Sequence, residues 1–395
     1  MKRILINKSE RGYSTALLED GKLVELLEDS VEESLAGNIY LGVVKKVTGG
    51  FIFLDIGQER QAFLDTKDGR ERRLFPPGRP SAKPGDTFVV QVLKDAVGNK
   101  GPNVTSSISY TGRYIMLYES LDTDRVNSSK KIEDFNETRR LKNMIKGLLS
   151  DGFSAIIRSA AEGKDEDTIK AEIDVLMSRW GENLDWKHKT APATLWSQSS
   201  IVKTLMEVVR EDIDEIIIDN PDTFSRIQKE FLPTFPDFES KISLHRKDED
   251  IFAAYFVKTQ MDKLYDKRVW LKCGGFIVVE QTEACVVIDV NTGKFQSKGG
   301  EAAKLQLNLE AAKEIAYQLR LRNLSGIVIV DFLRMMSKAD MHSLLKDFEL
   351  ELHKDRIPAL LVGMTTLGLV EVTRKRVRKP IEKRNGNALR PPAIT

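Results

Sequence analysis

The chain has 395 residues, of which 41% are hydrophobic and 30% charged, and no apolar run approaches the roughly 20 residues that a membrane span needs. Its formal net charge is only +2, so any affinity for nucleic acid must come from local patches. Cys273 and Cys285 are too few for a disulfide scaffold or a four-thiolate zinc site. We expect a soluble protein of about two to four domains that lacks a signal peptide and stays in the cytoplasm.

Residues 39–110 read as short strands with alternating apolar residues. The stretch "IYLGVVKKVTGGFIFLDIGQERQAFLD" contains three strands, and "GDTFVVQVLKD" and "KGPNVTSSISY" bring the number to about five. About five strands in roughly 70 residues predict an OB-type barrel. Alternation places Phe51 and Phe53 on one face of the second strand and Ile52 and Leu54 on the other.

Aromatic and basic residues accompany this predicted barrel. Phe63 lies near Phe53 in the sequence, and the polar connection that follows carries the cations Lys67, Arg70, Arg72, Arg73, Arg79 and Lys83. Rings that stack on bases, beside cations that follow the backbone, are what the binding of single-stranded nucleic acid requires. The same pattern fits phenylalanines that belong to the core beside a solvated loop, so both interpretations stand at this point.

Between about residues 113 and 210 the sequence becomes helical and charged. "NETRRLKNMIKGLL" and "DEDTIKAEIDVLMSRW" both show apolar residues at helical spacing. Between them, "GFSAIIRSAAEGKDE" predicts a short strand that ends at Arg158 and Ser159. An arginine beside a hydroxyl at a strand end suits a phosphate, although a plain surface pair is the commoner explanation.

A further sheet is predicted near the end of the chain. "RVWLKCGGFIVVEQTEACVVIDV" reads as three strands joined by turns, and an amphipathic helix over residues 301–323 leads into the strand "GIVIVDF". Asp289 ends the strand before the helix, and Asp331 ends the strand after it. Two strands joined by a long helix run parallel, so their carboxyl ends share one rim of the sheet.

The two aspartates are therefore expected side by side at the crevice where open α/β sheets bind ligands. Neighbouring carboxylates repel each other unless a cation lies between them, and Mg²⁺ prefers such oxygen ligands. Asn291 faces the same side as Asp289, and Lys294 and Lys298 add positive charge. Strand-end aspartates can also merely cap helices, but the whole set favours a magnesium-dependent phosphoryl-transfer enzyme that acts on nucleic acid.

Three segments resemble a known family. "IDVNTGKF", "NLEAAKEIAYQLRLRNLSGIVIVDF" and "LGLVEVTRKR" resemble the catalytic domain of the ribonuclease E/G family, bacterial endoribonucleases of RNA processing and decay. The predicted barrel resembles that family's inserted OB-fold, and "IIRS" resembles its sensor for RNA 5′ ends. The resemblance implies an α/β multidomain fold, with an RNase H-like subdomain that contains an inserted OB-fold β-barrel and 5′-sensor region, followed by a deoxyribonuclease-like α/β catalytic subdomain.

The implied domains follow the chain. The RNase H-like subdomain takes residues 1–37 and 211–266, and between these parts lie the OB-fold RNA-binding domain, 38–110, and the 5′-sensor region, 111–210. The deoxyribonuclease-like catalytic subdomain takes residues 267–380, and residues 381–395 form a basic and polar tail.

The resemblance also implies roles for single residues. Asp289 and Asp331 become catalytic residues and magnesium ligands, and Asn291 becomes their catalytic partner at the scissile phosphate. The family's OB-fold grips RNA at the positions of three residues here, and Lys294 is a further candidate, so the expected RNA contacts are Phe53, Phe63, Lys100 and Lys294.

The resemblance to the 5′ sensor is less complete. Arg158 and Ser159 fall on the sensor's arginine and threonine, so the second position is a conservative departure. Val126 and Asn127 stand where the family usually has a Gly-Gly pair. This larger departure weakens the expectation that the chain senses a 5′ monophosphate.

The implied function is a magnesium-dependent endoribonuclease that cleaves single-stranded RNA, rRNA or mRNA, to 5′-phosphate and 3′-hydroxyl ends. The alternative is a non-catalytic RNA-binding protein that uses the OB-fold and the basic segment "TRKRVRKPIEKRN". Family members commonly carry a CPxC-like segment after "LVEVTRKR", through which two chains share one zinc. This chain has no cysteine there, so we expect Mg²⁺ as the cofactor, no structural zinc, and a different interface for any homo-oligomer.

Overall fold

The computed structural model describes residues 1–30, 34–66, 81–96, 100–119, 126–129, 132–183, 186, 188–295, 300–378 and 380–381. Several predicted cations lie outside this part, namely Lys67, Arg70, Arg72, Arg73, Arg79, Lys298 and the basic residues after 381. The chain divides into two compact units. The first comprises Met1–Ser30, Arg210–Pro221 and the described residues from Lys241 onward, and the second comprises the described residues of Val31–Val209 and Asp222–Ser240.

A closed barrel follows three initial strands. The first unit opens with the antiparallel strands β1 (Lys2–Ser9), β2 (Gly12–Glu19) and β3 (Lys22–Ser30). The second unit contains β4 (Ile39–Thr48), β5 (Phe51–Asp55), β6 (Ala62–Asp65), β7 (Thr87–Lys94) and β8 (Asn103–Thr105). Because β4 pairs with both β5 and β7, while β8 joins β6 to β7, these five strands close on themselves. The predicted OB-like barrel is thus confirmed.

A smaller sheet with two helices follows in the second unit. Its strands are β9 (Ser109–Thr111), β10 (Ile115–Glu119), β11 (Val126–Ser128) and β12 (Phe153–Ile157), in the order β11-β12-β10-β9. The helices α1 (Phe135–Leu148) and α2 (Glu166–Asn183) pack their apolar stripes on it, and Asp134 caps α1 by accepting hydrogen bonds from two backbone N–H groups. Next come β13 (Ala193–Trp196), which pairs with β4, and α3 (Ser200–Val208).

The chain then returns to the first sheet. It continues with β14 (Glu215–Ile218), α4 (Pro221–Glu230), β15 (Ile242–Leu244), α5 (Ile251–Ala254) and α6 (Val257–Asp262). β14 pairs in parallel with β1, and β15 pairs in parallel with β14, which gives the order β15-β14-β1-β2-β3. Arg3 and Glu215, opposite each other across β1 and β14, form an ion pair of 2.8 Å.

The last sheet carries the candidate site. Its elements are β16 (Arg268–Trp270), β17 (Phe276–Gln281), β18 (Cys285–Asn291), α7 (Gly300–Leu321), β19 (Gly326–Asp331), α8 (Lys338–His353), β20 (Ala359–Met364) and β21 (Val370–Arg374). The order is β16-β17-β18-β19-β21-β20; β18 and β19 run parallel, and the other neighbours run antiparallel. One face is buried against α7 and α8 through residues such as Leu307, Ile315 and Phe348. Among the described helices, none has the length and apolar character that a bilayer span needs.

Candidate active site

β18 and β19 bring the two aspartates together. The strands run parallel, joined by α7, and their register sets Asp289 directly opposite Asp331. Neighbouring strands lie about 4.8 Å apart, so the two side chains leave adjacent backbones at the same level. The predicted parallel pairing of these strands is confirmed, although their sheet as a whole is mixed.

The carboxylates lie on the open face of the sheet. In β18 the side chains of Ile288 and Val290 are buried, whereas Asp289 is exposed, and in β19 Asp331 is exposed next to the buried Val330. Asp331 is the last residue of β19, whereas β18 continues for two residues past Asp289, so the pair lies near the carboxyl ends of both strands and on the exposed face of the sheet. An apolar run that looks wholly buried in fact presents every second side chain to solvent.

The two carboxylates differ in their hydrogen bonds. The Nδ2 of Asn291 donates to Oδ2 of Asp289 over 2.7 Å and so orients that carboxylate. The Asp331 carboxylate forms neither a hydrogen bond nor an ion pair with any residue that the structure describes. In the same part of the chain, no three His, Cys, Asp or Glu side chains cluster at metal-binding distance. Two carboxylates on an open face still fit Mg²⁺, which binds one or two carboxylates and completes its shell with water and phosphate oxygens.

The first turns of α7 hold the loop that follows Asp331. The amide of Asn308, which is completely buried, donates to the Leu333 carbonyl over 2.9 Å and accepts from the Leu333 N–H over 3.0 Å. Glu301 accepts from the N–H of Met336 over 2.8 Å. This support was not predicted from the sequence. A signal existed, because Asn308 is a polar residue within the apolar stripe of α7.

Lys294 lies in the loop that follows Asn291. Its N–H donates to the Gly274 carbonyl over 3.0 Å, and its side chain is exposed. Gly293 has a φ of +54°, and a Cβ there would lie 2.7 Å from the Gly274 oxygen, so only glycine fits this close approach. Hydrogen bonding therefore fixes the backbone of Lys294 only a few residues from the carboxylates.

The barrel places two of the predicted RNA contacts side by side. Phe53 in β5 stands directly opposite Phe63 in β6, and both rings are half-buried, outside the buried barrel core that contains Ile52 and Leu54. Lys100 is exposed. Phe53 thus belongs to the face that the alternation of apolar residues predicted for it, and the pairing of β5 with β6 adds Phe63 to that face.

The end of β12 is more enclosed. The guanidinium of Arg158 donates to the Gly112 carbonyl, and burial lowers the pKa of Arg158 although the nearby Glu172 carboxylate opposes this. Glu172 accepts hydrogen bonds from the N–H groups of Tyr114, at 2.8 Å, and Ile115, at 2.9 Å. Ser159 is exposed. Arg158 and Ser159 are therefore adjacent in the fold as in the sequence, but the arginine already has an internal partner.

Part of the basic segment near the end of the chain is structural. Arg374 is only 2% exposed, and it forms an ion pair of 2.7 Å with Asp355 and a hydrogen bond of 2.9 Å with Asn323. Arg378 pairs with Asp29 over 2.7 Å. These two arginines therefore stabilise the first unit, and the alternative function loses part of its proposed RNA-binding segment.

Comparison with known proteins gives one consistent result. The model of the Ribonuclease E/G family matches residues 109–377. Ribonuclease G of Haemophilus influenzae is 33% identical over 397 residues, which covers 96% of this chain and 80% of that protein. Ribonuclease G of Escherichia coli is 31% identical, with 96% and 81% covered. Ribonuclease E of a Nostoc species is 33% identical over 95% of this chain and 56% of its own length.

These similarities extend over nearly the whole chain and include the strands that carry Asp289 and Asp331. The chain belongs to the ribonuclease E/G family, as its sequence predicted, and its enzyme class is endoribonuclease.

Proposed function

We propose that the protein is a magnesium-dependent endoribonuclease that cleaves single-stranded RNA, such as rRNA or mRNA, and leaves 5′-phosphate and 3′-hydroxyl ends. The observation that carries the proposal is the register of β18 and β19, which sets Asp289 opposite Asp331 on an open face. Two carboxylates repel the phosphates of RNA, so the site needs a cation to accept this substrate. Membership of the ribonuclease family supports RNA as the substrate class.

Each residue of the site has a separate task in this proposal. Asp289 and Asp331 hold Mg²⁺ together, and the hydrogen bond from Asn291 keeps the Asp289 carboxylate oriented. Bound there, Mg²⁺ supplies a coordinated water of lowered pKa and offsets charge on the scissile phosphate. The exposed ammonium of Lys294 adds positive charge for the RNA backbone. Asn308 positions the segment after Asp331 and does not itself contact the substrate.

We assign RNA binding in the second unit to the barrel surface formed by Phe53, Phe63 and Lys100. The two neighbouring half-buried rings support this assignment, since base stacking on a ring contributes about 1–3 kcal/mol. For Arg158 we propose a structural role and not the sensing of a 5′ phosphate, because its guanidinium already donates to the Gly112 carbonyl; of the expected sensor pair, Ser159 alone stays a candidate for that contact. The variant Phe53→Ala should bind RNA more weakly with a smaller loss of thermal stability than the core variant Ile52→Ala.

We also propose the family's subdomains for this chain. Residues 1–37 and 211–266 form an RNase H-like subdomain, and the parallel pairing of β1 with the distant β14 supports the joining of these two segments. Residues 38–110 form the OB-fold domain, residues 111–210 the 5′-sensor region, and residues 267–380 the deoxyribonuclease-like catalytic subdomain.

Incubation with a 5′-labelled, A/U-rich single-stranded RNA tests the function. With Mg²⁺ we expect labelled fragments of discrete intermediate length, which only internal cleavage produces, and no cleavage in excess chelator. The downstream fragments should be ligatable through a 5′ phosphate, and a perfect duplex of the same sequence should stay intact. A non-catalytic RNA-binding protein would shift the RNA on a native gel and leave it uncut under every metal condition.

A further inference from the structure

A group of aromatic and basic side chains continues the open face beyond Asn291. Phe276 in β17 stands directly opposite Asn291, and Trp270 in β16 stands directly opposite Phe276. Directly opposite residues of antiparallel strands share one face of a sheet, so both rings lie on the face that carries Asp289. Arg268 occupies the neighbouring position of β16 on the same face. We call Arg268, Trp270 and Phe276 the aromatic platform.

The contacts within the aromatic platform are specific. The rings of Trp270 and Phe276 have centroids 5.2 Å apart and are tilted by 58°. The Cζ atom of Arg268 lies 4.5 Å from the centroid of Phe276 and 5.9 Å from that of Trp270, within the range of cation–π attraction. Trp270 is 53% exposed, so much of its indole surface is available to a ligand.

The aromatic platform is not part of the hydrophobic core. Between Arg268 and Trp270, the side chain of Val269 faces the other way and packs against the core of the last sheet. Trp270 lies on the edge strand of that sheet. A large ring that is half exposed lacks much of the stabilisation that full burial would give, and tryptophan is enriched at binding interfaces.

The turn that joins the two strands of the platform is held firmly. Glu310 of α7 accepts hydrogen bonds from the backbone N–H groups of Lys272 and, at 3.2 Å, Cys273. The loop after Asn291 packs closely against the ring of Phe276, because a Cβ on Gly293 would lie only 3.0 Å from that ring. The rings are therefore presented on a fixed backbone.

Cationic residues flank the rings. Arg268 has no carboxylate partner among the residues that the structure describes, Lys272 is exposed two residues after Trp270, and Lys294, also exposed, follows the Gly293 that packs against Phe276. Cations beside exposed aromatic rings match the two parts of a single-stranded nucleic acid, its charged backbone and its flat bases. This charge favours a nucleic acid over an apolar protein segment as the ligand.

We propose that the aromatic platform binds an unpaired nucleobase of the substrate RNA, in a nucleotide adjacent to the scissile phosphate; the proposal rests on the proposed function. Trp270 lies two strand spacings, or about 10 Å, from the backbone of Asn291. A phosphate at Asp289 and Asp331 therefore leaves a neighbouring base within reach of the indole. The base stacks on Trp270, and Arg268 pairs with the phosphate of that nucleotide.

Abasic scanning of a short single-stranded RNA tests the proposal. Binding is measured with the inactive variant Asp289→Asn, using a series of RNAs that each lack one base near the cleavage site. One abasic position should weaken binding by about 5- to 100-fold. Adding Trp270→Ala should weaken binding of the intact RNA by a similar factor and abolish the penalty at that position only. Trp270→Phe should retain most of the penalty at that position. Phe135→Ala, which removes a 75% exposed ring elsewhere, should change neither the affinity for the intact RNA nor the penalty.

Two results would overturn the proposal. One is an abasic series in which no position weakens binding, a result that needs no variant at Trp270 and so does not depend on how that variant folds. The other is a folded Trp270→Ala protein that binds every RNA as its parent does, which would leave the rings as a protein-docking surface or a structural feature. Failure of the unmodified protein to cleave any RNA would instead reject the proposed function. It would leave the binding comparison unaltered, so the two failures are distinguishable.

Discussion

An apolar strand leads to a charged residue in two places, since β19 ends on Asp331 and β12 ends just before Arg158, yet the two charged side chains have different partners. Asp331 is exposed and has no partner among the described residues. Arg158 is half-buried, and its guanidinium donates to the Gly112 carbonyl. A charge exposed on an open face is available to a ligand, whereas a charge satisfied within the fold contributes mainly to stability.

The partners of these strand ends explain the difference. The neighbour of Asp331 is another carboxylate, Asp289, which can only raise the demand for an external cation. Arg158 instead lies near Glu172, whose carboxylate accepts hydrogen bonds from the backbone before β10. Two similar local patterns thus acquire opposite roles from the segments that fold against them.

The largest effect is expected from the aspartate pair. Asp289→Asn or Asp331→Asn keeps the side-chain size but weakens Mg²⁺ binding, so cleavage should fall by at least about 100-fold, with RNA affinity and melting temperature nearly unchanged. Glu349→Gln, which removes an exposed carboxylate from α8, is the matched control and should cleave normally. Loss of folding in both aspartate variants would show that these carboxylates are structural, like Arg158.

The next effect concerns the support of Asp331. Asn308→Leu leaves the N–H and carbonyl of Leu333 without their partner, and each buried unpaired group costs about 1–3 kcal/mol. We expect a loss of roughly 2–4 kcal/mol in unfolding free energy by denaturant titration, together with slower cleavage. Gln306→Leu, at an exposed position of the same helix, should have neither effect. Unchanged unfolding free energy of Asn308→Leu would show that Asn308 does not support the segment after Asp331.

Arg158 provides the opposite test. Arg158→Gln removes a charged hydrogen bond, so unfolding should become easier by about 1.5–3 kcal/mol, while 5′-monophosphate and 5′-hydroxyl RNAs lose cleavage by the same factor. Arg139→Gln, on the exposed face of α1, serves as the control. A loss of cleavage confined to 5′-monophosphate RNA, at unchanged stability, would instead make Arg158 a phosphate sensor. Arg158 and Asp331 would then both bind the substrate.

The smallest effect is a pH dependence near the end of β12. Hydrogen bonds from Arg140 and from the N–H of Gly163 lower the pKa of Glu137 from 4.5 to about 2. The ionised form is favoured in the fold, so its contribution is complete above pH 4.5 and is lost as the pH falls towards about 2. Because Arg140 is 42% exposed, we expect only about 1 kcal/mol. Acid unfolding of Glu137→Gln should lack this component, while that of Glu133→Gln should match the parent.

The sequence predicted the parts of the fold that local periodicity determines. Alternation gave the strands of the barrel, and the strand, helix and strand around residues 285–331 gave the parallel pair with its two aspartates. The register of β1 against β14 was not predicted, because register between distant segments leaves no local pattern; only the family resemblance placed residues 1–37 and 211–266 in one subdomain. The same reason explains why the exposed face of the sheet was not predicted. Which face of a strand is open depends on the helices that cover the other face.

Single supporting residues were hardest to predict. Asn308 acts through a loop on another strand, and Trp270 joins the open face only through the register of β16, β17 and β18. In the sequence, Trp270 reads as one more apolar residue of a short strand. Knowledge of the pairing turns it into a neighbour of the site.

Whether Asp289 and Asp331 bind the catalytic metal is decided by cleavage as a function of Mg²⁺ concentration, for the unmodified protein and Asp289→Asn on the same single-stranded RNA. We expect internal cleavage by the unmodified protein that requires Mg²⁺ and saturates with it, and no comparable cleavage by the variant at any Mg²⁺ concentration, although both bind the RNA. Cleavage by the unmodified protein in excess chelator, or cleavage by Asp289→Asn at the unmodified rate, would contradict the assignment of Asp289 and Asp331 as the magnesium-binding pair.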